Sequence, residues 1–240
     1  MIELTITNAY GETLEVNESN KLAISNIDGL SAPKFNLGTK KVGKDGVYVT
    51  SRTINEREIT ITFDILGSVK ATRQTLYNFC CVGEVVILKF KTFGEFEIRG
   101  SVIEYTPSWF ENQSKASVTI FCDDPYFYDL EDTVYNLSPS PLTVAHNSML
   151  QVEPIIEMHL ISSASAINVT FNNLTLTVTH NFNAGDLVTI DNKRRTVYVN
   201  NTINVYHQKS GDWLFLQKGD NYLSASQTSA AIFKKKYIGI

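Results

Sequence analysis

Apolar and polar residues alternate along most of this chain, and the longest clean run is Arg57 to Ile65. Ile59, Ile61, Phe63 and Ile65 fall on one parity, while Glu58, Thr60, Thr62 and Asp64 fall on the other. A period of two predicts a strand with one dry face and one wet face. Gly67-Ser68 breaks the run. Val69, Thr72, Leu76 and Phe79/Cys80 then recur at helical spacing. The spacing predicts a helix with Ser68 as an N-cap, its hydroxyl satisfying a free N–H, and with Gly83 ending it in the left-handed conformation. No other segment reads as a convincing helix, so the fold class is mostly β.

The same reading orders the rest of the chain. Short strands are expected around Ile2/Leu4/Ile6, Leu14/Val16 and Leu22/Ile24. Leu30 to Gly46 has no period and carries Pro33, three glycines and lysines 34, 40, 41 and 44. Such a segment reads as an exposed hairpin or as an arm crossing to a neighbouring subunit. Val86, Leu88 and Phe90 face Phe96, Ile98 and Val102 in a predicted hairpin with Gly94 in its turn and Phe93 at its tip. Ala116–Cys122 closes the first region, and Pro125 marks a domain change, because proline cannot continue a central strand. The expected domains are therefore 1–125 and 126–240. In the second, short strands separated by asparagine-rich turns, with Asn200-Asn201 as a two-residue hairpin, predict a β-sandwich or jelly roll.

Charge and chemistry narrow the function. Residues before Pro125 carry 13 basic and 16 acidic side chains, and those from Pro125 onward carry 8 and 9. Both halves are thus slightly acidic, which argues against gripping nucleic acid by its phosphates. Lys234-Lys235-Lys236 reads as the solvent face of a last edge strand. Cys80, Cys81 and Cys122 form no disulfide framework, and no secretion signal or membrane span is expected. The four histidines lack metal-ligand spacing. No nucleophile elbow, phosphate loop or zinc-protease motif occurs. Glu95/Glu97 and Asp123/Asp124 read as ordinary strand and turn residues rather than a carboxylate pair. The expectation is no enzyme, no metal and no cofactor. Tryptophans and tyrosines of the second half leave a sugar-binding face as the alternative.

The residues resemble a known family. Arg57-x-Ile59-x-Ile61-x-Phe63, the helix with Arg73 and Leu76, Asp45-Gly46 and the Phe121 to Tyr126 closure carry the likeness in the first half. Glu153-Pro154-Ile155-Ile156, Gly185-Asp186-Leu187, Ile190-Asp191, Val197–Asn201, Trp213-Leu214, Gly219-Asp220-Asn221 and Phe233–Ile238 carry it in the second. Together they resemble the distal tail (Dit) proteins of siphophages infecting Gram-positive bacteria. The resemblance implies an N-terminal, tail-tube-like β-sandwich with one helix and a hairpin, and a C-terminal galectin-like β-sandwich. It implies a homo-hexameric ring at the distal end of the virion tail, built in the host bacterial cytoplasm. The ring would join the tail tube protein to a tail-associated lysin or fibre and a receptor-binding protein, with DNA passing through its bore. The alternative is a lectin-like tail-tip protein. Contacts to other subunits or partners are expected at Lys40, Lys41, Lys44, Phe93 and Gly94. No inserted carbohydrate-binding module is expected.

Overall fold

The computed structural model describes residues 3–32, 35–41, 47–92, 94–108 and 114–238. The chain divides into two compact units, 1–130 with 237–240, and 131–236. The division falls after Leu130 rather than at Pro125. The reason is that the short strand beyond the proline still hydrogen-bonds to the first unit, with Tyr128 opposite Glu97.

The first unit contains β1 (Leu4–Thr7), β2 (Thr13–Val16), β3 (Leu22–Asp28), β4 (Phe35–Lys41), β5 (Val47–Ile54) and β6 (Arg57–Ile65). These are followed by α1 (Val69–Phe79), β7 (Val85–Phe90), β8 (Phe96–Pro107), β9 (Lys115–Cys122) and β10 (Phe127–Asp129). The main sheet runs β2-β1-β7-β8-β9-β6-β3, with β10 attached to β8. Ile59, Ile61 and Phe63 of β6 are fully buried, as their parity predicts. Leu14 and Val16 from one end of the sheet and Leu22 from the other join the same apolar cluster as Leu76 of α1. The sheet therefore curls around one core, with α1 laid on its dry face. Leu88 pairs with Ile98 and Phe90 with Phe96 in the β7–β8 hairpin, as expected.

Two expected caps differ. Ser68 occupies the N-cap position, but its hydroxyl makes no capping bond, and Thr72 N–H instead reaches the Ser68 carbonyl at 2.9 Å. The helix ends at Cys80. Gly83 is left-handed but serves the entry to β7, its N–H donating to Val102 O at 2.8 Å. The β8 strand competes for that glycine and wins.

The second unit holds β11 (Thr133–Leu137), β12 (Leu142–His146), β13 (Ile155–His159), β14 (Ala164–Phe171), β15 (Leu174–Phe182) and β16 (Leu187–Asp191). After them come β17 (Thr196–Val199), β18 (Ile203–Asn204), β19 (Lys209–Gly211), β20 (Gly219–Ala225) and β21 (Ser229–Phe233). The last strand, β22 (Lys236–Tyr237), pairs with β10. Sheets β11-β21-β13-β16-β17-β18 and β12-β20-β14-β15-β19 enclose a single core that includes Ile156, Phe171, Val178 and Ile190. This is a β-sandwich. Asn200 and Asn201 are both left-handed, and Thr202 N–H closes their turn on Val199 O at 3.1 Å, which is what two successive asparagines can provide.

Buried amides fix its loops. Asn221 Nδ2 donates to the carbonyls of Gln217 and Gly219 at 2.8 and 2.9 Å. Its Oδ1 accepts from Gln217 N–H at 3.0 Å and from Asn172 at 3.1 Å. A buried amide is tolerated when its donors and acceptor are used in this way.

Candidate functional site

Among the described residues, strands β4 and β5 pair only with each other, forming a two-stranded ribbon apart from the main sheet. Leu37 is 50% exposed and Tyr48 66% exposed, and Lys40 and Lys41 stand exposed at the end of β4. An isolated two-stranded ribbon is at best marginally stable in water. The exposed leucine and tyrosine of this ribbon are free to pack against another surface.

The remaining expected contact residues are placed unevenly. Lys44 and Phe93 lie outside the described residues, as do Asp45-Gly46. Gly94 sits at the turn of β7–β8 with φ +113, and a Cβ there would run into the Phe96 ring. It lies between two strands of the main sheet, whereas Lys40 and Lys41 lie on the separate ribbon.

The wet face of the main sheet is legible from register. Thr60 faces Thr119 and Thr62 faces Ser117, their hydroxyls 3.2 and 3.1 Å apart. Asp64 faces Lys115 at 3.6 Å, and Glu104 and Thr106 of β8 lie beside Thr119 and Ser117. Across β2, β3, β6, β7, β8 and β9 this face presents Glu15, Asp28, Glu58, Asp64, Glu97 and Glu104, against Lys89, Arg99 and Lys115. It is a hydroxyl-rich surface with an excess of carboxylate.

Two arrangements escaped the sequence reading. A cleft of about 440 Å³ lies beside α1, lined by Val69, Lys70, Arg73, Tyr77, Tyr105 and Pro107. There Tyr105 donates its hydroxyl to Arg73 O at 3.2 Å and meets Tyr77 edge-on, with ring centroids 5.3 Å apart. Arg73 in turn donates to Ser108 O at 2.5 Å and Lys115 O at 3.2 Å. Burial raises the Tyr105 phenol above its ordinary value, partly opposed by Arg73.

The other is Arg57, only 3% exposed. Nε donates to Pro125 O at 2.9 Å, and Nη1 donates to Gly29 O at 2.5 Å and Ser31 O at 2.7 Å. Nη2 donates to Ile238 O, and the guanidinium carbon lies 4.6 Å from the Phe127 ring centroid. Burial pulls this guanidinium below its ordinary value, with Cys122 opposing. The signal was present in the sequence: Arg57 shares the parity of Ile59 and Ile61, which directs it inward.

In the second unit Trp213 and Tyr206 lie nearly parallel, 16° apart with centroids at 6.2 Å, and Lys209 Nζ sits 4.6 Å above the Trp213 ring. The ammonium is drawn below its ordinary value by burial, against the pull of Asp212. Trp213 thus spends its π-face on an internal cation. Among the described residues, no three His, Cys, Asp or Glu side chains converge as a metal site would require.

The architecture is a curled sheet with one helix and a separate two-stranded ribbon in the first unit, and a β-sandwich in the second. The phage tail protein RIFT-related domain matches residues 10–80, and the siphovirus-type tail component C-terminal domain matches residues 147–237. The chain belongs to the siphovirus-type tail component proteins, the siphophage distal tail family. It is similar to the crystal structure of Dit from phage SPP1, described as a paradigm of the hub adsorption apparatus in phages infecting Gram-positive bacteria. The TM-score is 0.80 at 17% identity, over 98% of this chain and 99% of that one. It also resembles a chain of the phage P2 baseplate in its activated conformation with calcium, at a TM-score of 0.54 and 11% identity over the whole of both chains. The strontium form gives 0.54 at 10% identity, again over the whole of both. No curated protein sequence matches. The fold is thus the Dit fold with a galectin-like second unit. The chain is a structural component of the phage tail, and so a virion protein that associates with other tail components.

Proposed function

We propose that six copies of this chain close into a ring through the first unit. The ring caps the tail tube protein, carries a tail-associated lysin or fibre and a receptor-binding protein on its far side, and leaves a bore for DNA. The observation that carries this reading is the β4–β5 ribbon, which stands apart from the main sheet with Leu37 and Tyr48 exposed. A ring needs heterologous contacts that return on themselves. The ribbon supplies one side of such a contact, and the strands at the ends of the main sheet, β2 and β3, are available for the other. Lys40 and Lys41 end β4, Lys44 follows them in sequence, and the three are proposed as the polar rim of the contact. Phe93 and Gly94 are proposed as a second contact at the β7–β8 turn.

The wet face suits a bore. Six carboxylates against three cations, set among threonine and serine hydroxyls, repel phosphate and let a duplex slide without being held. The second unit is proposed to ride outside the ring as a structural module. A lectin role calls for an open aromatic face, and Lys209 over Trp213 argues against that residue as the platform. The protein acts by assembly and not by catalysis, and is made in the host cytoplasm.

Replacing Leu37 and Tyr48 together with aspartate tests the reading. The variant is expected to keep the unfolding midpoint of the isolated chain while its mass by light scattering falls from six chains to one. An unchanged hexameric mass would show that the ribbon is not the contact.

A further inference from the structure

Arg57 joins chain segments that are remote in sequence. Gly29 and Ser31 lie at the base of the β4–β5 ribbon, Pro125 precedes the exit toward the second unit, and Ile238 lies where the chain has come back from it. No carboxylate partners this guanidinium among the described residues. The burial of its charge is offset by carbonyl dipoles and the Phe127 ring alone. Such a site is all-or-none. If one carbonyl leaves, a buried donor is stranded, water must enter, and the hold on the other carbonyls weakens together.

We infer that Arg57 is a clasp that couples the returning C-terminal segment to the base of the ribbon, so that loosening the segment at Ile238 loosens the ribbon. The local backbone fits this role. Gly29 holds φ +91, and a Cβ there would overlap the Glu58 carbonyl, so its own carbonyl is delivered to Arg57 by a conformation few residues adopt. Ile238 is held by its neighbour: the Tyr237 ring packs edge-on against Phe96 at 5.0 Å, and its strand β22 pairs with β10. A pull on the second unit that draws out Tyr237-Ile238 is therefore transmitted to residues 29–31 through one side chain. The clasp acts within a single chain and does not depend on the ring.

Hydrogen exchange with mass-spectrometric readout on the full-length protein tests the coupling. Tyr237→Ala is expected to raise exchange in residues 22–32 by about tenfold or more while leaving β7 unchanged. In an Arg57→Lys background, which lacks the fork that binds several carbonyls, the same change is expected to add less than about twofold. Unchanged exchange in residues 22–32 after Tyr237→Ala, or equal increments in the two backgrounds, would overturn the clasp. If Arg57→Lys does not fold, exchange of the wild-type protein in sub-denaturing urea decides instead. Residues 22–32 and 230–238 must open with one shared urea dependence, and two distinct dependences refute the coupling.

Discussion

Asn192 Oδ1 accepts the backbone N–H of Leu214 at 2.8 Å, while its Nδ2 donates to Pro154 O at 2.7 Å. Three loops of the second unit, far apart in sequence, meet on this one amide, which is only 2% exposed. Asn192→Ala leaves a buried N–H and a buried carbonyl without these partners, at about 1–3 kcal/mol each. Urea unfolding is expected to register a loss of about 2–4 kcal/mol. Asn192→Asp keeps the acceptor but sets a buried carboxylate against the Pro154 carbonyl, so it should lose at least as much as alanine. A loss below about 0.5 kcal/mol for the alanine variant would mean that water replaces the amide.

Ile61 is fully buried on the dry face of β6. Ile61→Asp places an uncompensated charge in the first core, at roughly 4 kcal/mol or more. No soluble protein is expected from expression of this variant. Thr60→Asp, one residue away on the wet face, should express normally. Recovery of folded Ile61→Asp protein would mean that the faces of the sheet are assigned the wrong way round.

The cysteines are all free and differ in burial. Burial pushes the thiols of Cys80 and Cys122 up to about 12 from their ordinary 9.0. Both folded-state values are raised, so these thiols contribute stability that is complete below about pH 9 and is lost as pH rises toward 12. Unfolding midpoints measured from pH 8 to 11 should fall more steeply in the wild type than in Cys80→Ala or Cys122→Ala. At pH 8 a maleimide is expected to label Cys81 alone in the folded protein and all three cysteines after denaturation. Rapid native labelling of Cys122 would contradict the burial of that strand.

The sequence carried most of the architecture wherever one face of an element is buried and the other is wet. The alternation of β6, the helical stripe through Thr72 and Leu76, and the asparagine turns all appear where the pattern places them. The β4–β5 ribbon was harder to read because the polar, glycine-bearing run Gly38 to Lys41 shows no alternation. The segment from Leu30 to Gly46 therefore reads only as an exposed hairpin or an arm, without strand bounds. Arg57 was legible by parity but not by partners, since four carbonyls from distant segments leave no local signal. The cleft beside α1 depends on how Tyr105 of β8 meets the helix, after a bulge between Val102 and Glu104 shifts the register. Periodicity cannot anticipate such a shift.

The central claim is sixfold self-association through the first unit. Light scattering on the purified full-length chain, with negative-stain imaging of the same fractions, addresses it most directly. A mass of six chains and ring-shaped particles with an open centre are predicted. A single-chain mass at every concentration, with no rings even when the tail tube protein is added, would contradict it.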